Sequence, residues 1–331
     1  MTDPDDRDGR PADSDALKEP FDPRTVSPDD AFRVLGNRTR LSILRALWNT
    51  DEEPLPFAEL ERETAVETDN FAYHLDQLVG HFVRRSDDGY ALRYAGETVM
   101  RSIVAGLFSE GASLDWLAVD SGCPYCDGSI EMRYHDDQLT VRCTSCGGVV
   151  GNDEYPPGTF MSYGVPPAGL VGRSPSAVLE SAHVLYDSKI TPMMNGVCPE
   201  CAATVDHSIR ICDSHSVGED GLCSSCDTRF SVWVDYACEL CAYRRSSPPW
   251  FSLLTEASVI AFYHEHSDFD RSVPFSKLTR RNAPYVRSIS QSVVSREPLR
   301  IRIEFPLETA VLRVTIDETL EIRSVERVDP A

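Results

Sequence analysis

The chain has 331 residues, 53 acidic and 32 basic side chains, a formal net charge of −21 and 41% hydrophobic residues. This composition can bury ordinary cores over two or three domains, so wholesale disorder is excluded. No apolar run approaches the ~20 residues of a membrane span. The acidic opening MTDPDDRDGRPADSD lacks the basic-then-apolar pattern of a signal peptide. A soluble, cytoplasmic protein without membrane contact is expected.

Of the basic residues 29 are Arg and three are Lys, namely Lys18, Lys189 and Lys277. An acidic chain nearly devoid of Lys resembles the proteins of salt-in halophiles, where carboxylates help keep proteins soluble. The acidity also argues against sequence-blind nucleic-acid binding.

Residues 1–26 are rich in Asp and Pro, without periodicity, and are expected to form a disordered acidic tail. Residues 27–110 form the next segment. Ser27-Pro28-Asp29-Asp30 places a cap, a proline and two acids where a helix begins. The run Asn37–Leu47 then sets Leu41, Leu44 and Trp48 on one helical stripe, widened by Ile43 and Leu47. A short helix from Pro56 turns Phe57 and Leu60 inward, and a fourth over 68–80 buries Phe71, Leu75 and Leu78. Phe82–Arg93 predicts a hairpin with an Asp-Gly turn. A closing helix over 96–108 carries a broad stripe of Val99, Met100, Ile103, Val104, Leu107 and Phe108. Its width predicts a homodimer through Val99, Ile103 and Leu107, which would read half-sites about 34 Å apart.

This order is that of a winged helix-turn-helix. Phe32-Arg33-Val34-Leu35-Gly36-Asn37-Arg38-Thr39-Arg40-Leu41-Ser42-Ile43-Leu44 resembles the opening of the ArsR-type winged-helix repressors. Phe71–Gly80, FAYHLDQLVG, resembles the recognition helix of their haloarchaeal members. The resemblance covers about 80 residues and implies double-stranded DNA as a partner. No Cys precedes Cys123, so the metal-triggered switch of some relatives is not expected in this segment.

Asn70, Tyr73, His74 and Gln77 recur at helical steps on the face away from the apolar stripe. Asn and Gln can pair two-pronged with adenine in a major groove. Arg84, Arg85 and Arg93 on the hairpin are placed for phosphates or the minor groove. The plainer alternative is a solvated helix face with surface arginines. Nine arginines against fifteen acids between Asp29 and Glu110, a net of −6, oppose DNA unless positive groups cluster. In molar salt counterion release fades, and hydrogen bonds and groove shape must carry more of the affinity.

Ten of the eleven cysteines fall in five Cys-x-x-Cys pairs, in a long chain without a secretion signal, which indicates metal rather than disulfides. In residues 111–172, Cys123/Cys126 and Cys143/Cys146 have zinc-ribbon spacing, with a hairpin across Asp136-Asp137 between them. Cys-Pro-Tyr-Cys also resembles a glutaredoxin active site, which would need a helix starting at the motif. Ser174-Pro175 opens a connecting helix to about Tyr186, within residues 173–197.

Residues 198–250 hold Cys198/Cys201, Cys212, Cys223/Cys226 and Cys238/Cys241. Cys212-Asp213-Ser214-His215 supplies a Cys-x-x-His pair, with His207 as a possible substitute for His215. Twelve ligands then make three zinc sites. The stretches containing Val205–Ile211 and Phe230–Tyr236 alternate and have similar lengths, so they should pair as a long hairpin. Nested pairing follows, Cys198/Cys201 with Cys238/Cys241 and Cys212/His215 with Cys223/Cys226, over sequential or cross-braced pairing. Saturated sites of this kind are structural. Residues 251–331 predict a helix around Glu256–His264, then an antiparallel sheet with Leu299, Ile301, Ile303 and Phe305 on one face.

The expected class is therefore α+β and multidomain: a winged helix-turn-helix, central zinc-ribbon β-hairpins, and a small C-terminal antiparallel sheet with a helix. The expected function is a sequence-specific DNA-binding transcriptional regulator of a halophilic archaeon, with structural zinc. The alternative is a polymerase-associated protein like a general transcription factor, making the transcription machinery a partner. A pure interaction scaffold would leave the polar helix face without a role. No phosphate loop, Gly-x-Ser-x-Gly or His-Glu-x-x-His is present, so an enzyme is not expected; His264-Glu265-His266 lacks metalloprotease spacing.

Overall fold

The computed structural model describes residues 28–64, 70–108, 111–266, 288–307 and 310–328. The expected tail over 1–26, the Ser27 cap and the Thr68 helix start lie outside these residues. The described residues form eight α-helices and four small antiparallel sheets, and the chain divides into two compact units after Val104.

In the first unit α1 (Pro28–Leu35) buries no residue, and Phe32 is 70% exposed. Asn37 starts α2 (Arg38–Asn49), its side-chain oxygen accepting from the Arg40 amide at 3.1 Å. The buried stripe of α2 is Ile43, Leu44 and Leu47, with Leu41 and Trp48 at its margins. The expected stripe is thus rotated by about one residue, because the helix packs on several neighbours at once. In α3 (Phe57–Thr64) Leu60 is buried, but Phe57 is not turned inward. It opens the helix, and its half-exposed ring meets Phe71 edge-on at 5.4 Å. Phe71, Leu75 and Leu78 of α4 (Phe71–Leu78) close the core as expected.

Strands β1 (Val83–Ser86) and β2 (Gly89–Leu92) pair from Val83↔Leu92 to Ser86↔Gly89. Leu55 bridges to Tyr90 from the other side by two 2.9 Å hydrogen bonds. A side chain at Gly89 would stand 2.4 Å from the Leu55 carbonyl oxygen, and its φ is +148°, so glycine is required there. Helix α5 (Tyr94–Val104) stops four residues before Phe108. Met100 is buried, and Val99 and Ile103 are half-buried against the unit's own core. Much of the stripe reserved for a dimer thus has an intramolecular use, while Val104, Leu107 and Phe108 are exposed.

In the second unit β3 (Leu114–Gly122), β4 (Ser129–His135), β5 (Gln138–Cys143) and β6 (Thr159–Gly164) form a sheet in chain order. Asp136 and Asp137 turn β4 into β5, with φ of 49° and 59°, the two-residue turn that suits the twist of paired strands. Ile130, Met132, Tyr134, Leu139 and Val141 pack against Val178, Leu179 and Ala182 of α6 (Pro175–Met194). Ser174 caps α6 as expected, accepting from the Ala177 amide at 3.3 Å. The helix runs past Tyr186 to Met194, because Ile190 and Met193 continue its buried face into the next core.

That core is shared with β7 (Val205–Ile211) and β8 (Val232–Cys238), which pair antiparallel, and β9 (Arg244–Ser247) adds to β8. Two short helices follow, α7 (Trp250–Leu253) and α8 (Ala257–His266). A four-stranded meander then joins β10 (Ser290–Arg296), β11 (Leu299–Leu307), β12 (Ala310–Ile316) and β13 (Ile322–Val328). Ile301, Ile303, Phe305, Val314 and Ile316 pack with Phe230, Val232, Trp250, Val259 and Phe262. A division at 250/251 would run through this core. No described helix is long and apolar enough to cross a membrane.

Candidate metal centres and nucleic-acid interface

All twelve sequence-predicted ligands fall into three groups of four: Cys123, Cys126, Cys143 and Cys146; Cys198, Cys201, Cys238 and Cys241; Cys212, His215, Cys223 and Cys226. Within each group the donor atoms lie within 4.8 Å of one another. The grouping of the last eight matches nested pairing. It follows from the register of β7 on β8, which sets Val205 opposite Cys238 and Ile211 opposite Val232.

One local rule builds the knuckles. The residue after the second cysteine takes a left-handed conformation at Asp127, Ala202, Asp227 and Ala242, with φ of 52–61°. In the remaining pair Gly148, two residues on, takes that role with a φ of 76°. The turn points backbone amides at the first sulfur: Tyr125 N to Cys123 Sγ at 3.4 Å, Ser145 N to Cys143 Sγ at 3.3 Å and Leu240 N to Cys238 Sγ at 3.4 Å.

Sulfurs approach at 3.8 Å for Cys123–Cys146, 3.5 Å for Cys126–Cys143, 3.6 Å for Cys198–Cys241 and 3.5 Å for Cys201–Cys238. A tetrahedron with ~2.3 Å metal–sulfur bonds has edges of about 3.8 Å, whereas a disulfide needs ~2.05 Å. The donor sets therefore fit a tetrahedral ion. The amide of Ser216, helped by that of Ser225, holds the Cys223 thiol down to about 6. The amide of Cys241, with that of Leu240, does the same for Cys238, also to about 6. Burial pushes the Cys123 thiol up. Ligation needs thiolates, so the amides around Cys223 and Cys238 prepare those sulfurs for an ion.

His215 presents Nδ1 to Cys226 Sγ at 3.5 Å, while Nε2 lies 3.2 Å from the Arg229 carbonyl oxygen. A carbonyl only accepts, so Nε2 carries the proton and Nδ1 keeps its lone pair for the ion. His207 joins no group and lies 3.0 Å from the Glu318 carbonyl oxygen. No helix begins at Cys123: a turn and then β4 follow, unlike the helix a redox dithiol requires.

The sequence reading missed Arg229 as a supporting residue. Its Nε donates to the Gly148 carbonyl at 2.7 Å, and its guanidinium lies 4.7 Å over the Tyr125 ring. With Gly147 N on the Asp220 carbonyl at 2.8 Å, it ties the first group to the third. Arg229 lies beyond the Cys-x-x-Cys spacing, and nothing in that motif marks it.

In the first unit Asn70 precedes α4 and is exposed, as is Tyr73, at 59%. His74 and Gln77 are half-buried rather than fully outward. His74 stands three residues after Phe71 and four before Leu78, at the border of the buried stripe, and its Nδ1 is buried without a hydrogen-bond partner. Arg84, Arg85 and Arg93 are exposed. Arg84 faces Glu53 at 3.6 Å and Arg85 lies 5.8 Å over Tyr90.

A family model described as a domain of unknown function (DUF7351) matches residues 120–322. A second domain of unknown function (DUF7347) matches residues 28–103. No curated protein and no solved structure matches the chain.

Proposed function

The chain belongs to the DUF7351 family of domains of unknown function, and from its residues we propose that it is a sequence-specific DNA-binding transcriptional regulator with three structural zinc ions. Residues 28–104 act as a winged helix-turn-helix in this reading. One observation carries it: exposed Asn70 at the start of α4 and exposed Tyr73 on it, beside half-buried His74 and Gln77, directly before a hairpin with exposed arginines. The helix supplies base contacts, and Arg84, Arg85 and Arg93 hold phosphates.

Exposed acids at Asp87 and Asp88 occupy the hairpin tip, so phosphate contact falls to the strand arginines instead. The net charge of −6 between Asp29 and Glu110 makes affinity depend on hydrogen bonds, which suits a cell with molar salt. Zinc is chosen because sets of four thiolates, or three thiolates and an imidazole, suit it in closed tetrahedral sites. Such sites leave no position for substrate, and no catalytic role is assigned.

The test is selection of genomic fragments by the full-length protein in molar salt, followed by titration of enriched and scrambled duplexes. Enrichment of one motif, bound more tightly than its scrambled form, supports the reading. Absence of any enriched fragment overturns it, and polymerase capture without motif preference favours the general-factor alternative. Elemental analysis should find three zinc ions per chain.

A further inference from the structure

The chain that leaves the first ligand group runs beside the chain that builds the third. Residues 147–151 follow Cys146 directly, and residues 220–229 contain Cys223 and Cys226. Hydrogen bonds join the two stretches along their length. Gly147 N donates to the Asp220 carbonyl at 2.8 Å, Gly151 N to the Asp227 carbonyl at 2.8 Å, and Arg229 N to the Val149 carbonyl at 3.0 Å. Arg229 Nε adds its bond to the Gly148 carbonyl at 2.7 Å, and Val150 bridges antiparallel to Thr228. Leu222 occupies the space beside two of the glycines: a side chain at Gly147 or Gly151 would stand 2.7 or 2.6 Å from its Cδ1. The close approach of the two backbones thus depends on glycine.

Arg229 reaches both groups. Its carbonyl accepts from His215 Nε2 at 3.2 Å, and its guanidinium covers Tyr125, inside the Cys123–Cys126 knuckle, at 4.7 Å. Its neighbour Thr228 sets a hydroxyl 3.2 Å from Cys226 Sγ. The second group has different surroundings. It stands at the far end of β7 and β8 from the third, since Val205 faces Cys238 at one end and Ile211 faces Val232 at the other. Strands of this length separate the two by roughly 20 Å. Cys198 and Cys238 pack instead with Ile190 and Met193 of α6.

We propose that the first and third metal sites load as a cooperative pair, each ion strengthening the other's binding through Arg229 and the paired stretches, while the second site binds its ion independently. An ion fixes its knuckles, and an empty site lets them relax and withdraws the hydrogen bonds that they offer. The bonds between residues 147–151 and 220–229 therefore form fully only when both sites are filled. That is a coupling free energy, and it acts in both directions. The proposal rests on the reading of the three groups as zinc sites, but not on DNA binding.

The test is N-ethylmaleimide labelling of the full-length protein during zinc chelation, mapped by peptide mass spectrometry, so that thiols released from each group are counted separately. His215→Ala empties the third site without touching the first. It should speed labelling of Cys123, Cys126, Cys143 and Cys146 by about tenfold or more, with Cys198, Cys201, Cys238 and Cys241 at the wild-type rate. Cys126→Ala should in turn speed labelling of Cys223 and Cys226. His215→Cys restores a fourth donor and should return the first group to its wild-type rate. Arg229→Gln removes the guanidinium but keeps the carbonyl on His215, and in that background the effect of His215→Ala on the first group should shrink several-fold. A wild-type rate in the first group of His215→Ala, with three ions in the wild-type protein, overturns the coupling alone. Equal acceleration of the first and second groups overturns it too, since that is general loosening. Wild-type protein without metal by elemental analysis overturns the zinc reading and the coupling with it.

Discussion

His215 is the ligand on which the count of three metal sites rests, since eleven cysteines leave one donor position open. The bond from Nε2–H to the Arg229 carbonyl fixes the ring with Nδ1 toward the sulfurs. His215→Ala should reduce the bound metal from three ions to two, and His215→Cys should restore the third, both read by elemental analysis. Asp317 makes a different kind of prediction. It is 2% exposed and accepts from the Thr319 amide at 2.9 Å, the Thr319 hydroxyl at 2.8 Å and the Glu321 amide at 3.1 Å, besides Arg323. Burial alone would raise its carboxyl, but hydrogen bonds from Thr319 and Arg323 outweigh that and hold it at about 2. A lowered value means that its stabilisation is present above the unfolded value near 4 and is lost as pH falls toward 2. Asp317→Asn should cost about 1–3 kcal/mol at pH 6. Denaturant titrations of the two proteins should converge between pH 4 and pH 2.

At the scale of elements, α4 and β1 separate two roles in the proposed regulator. Losing one good base contact costs about 1–3 kcal/mol at one position of the site. Losing one phosphate contact weakens all sequences and lowers the salt slope by about one. Gln77→Ala should therefore relax specificity, and Arg85→Ala should flatten the salt dependence, in titrations at several salt concentrations. At molar salt Gln77→Ala should be the more damaging. If Gln77→Ala binds as wild type while Arg85→Ala abolishes binding, α4 is not the reader. What was legible in the sequence follows the same physics. The ligand groups were legible because a Cys-x-x-Cys turn is local, and two alternating stretches of similar length can pair in few ways. Strands β4, β8, β11 and β12 were legible because burial alternates along them, and β5 because the Asp136-Asp137 turn returns it onto β4. Strands β3, β6, β9 and β10, not resolved individually, all lie at sheet edges, where one neighbour imposes less pattern. The last two turns of α6 are hidden in the sequence because Asp187, Ser188 and Lys189 interrupt its apolar face, and Pro192 signals an end.

At the scale of the molecule, the metal groups and the apolar cores divide unequally between the two units. The first unit buries Ile43, Leu44, Leu60, Leu75 and Leu78 around its own centre, and all three ligand groups lie in the second, from Cys123 onward. In the second unit the ligands are part of the cores: Cys123 and Cys143 pack with Ile130 and Val141, and Cys198 and Cys238 with Ile190 and Tyr236. The third group is tied to the first through Arg229 and Gly148, and Arg229 continues into Phe230 of the largest core. Removing the ions would leave clustered thiolates that repel one another or take up protons, beside short strands with little else to hold their ends. Metal removal should therefore loosen residues 111–266 and 288–328 together while sparing residues 28–104. Hydrogen–deuterium exchange of the full-length protein, with and without a strong chelator, measures this segment by segment. Strands β4, β5, β7 and β8 should lose protection on chelation, followed by β11 and β12 through their shared core. Helices α2 and α4 should exchange at the same rate in both samples. Equal loss of protection in α2 and α4 would mean that the first unit does not stand on its own core. Unchanged protection in β7 and β8, with the metal shown to be gone, would mean that the ligand groups do not support that hairpin.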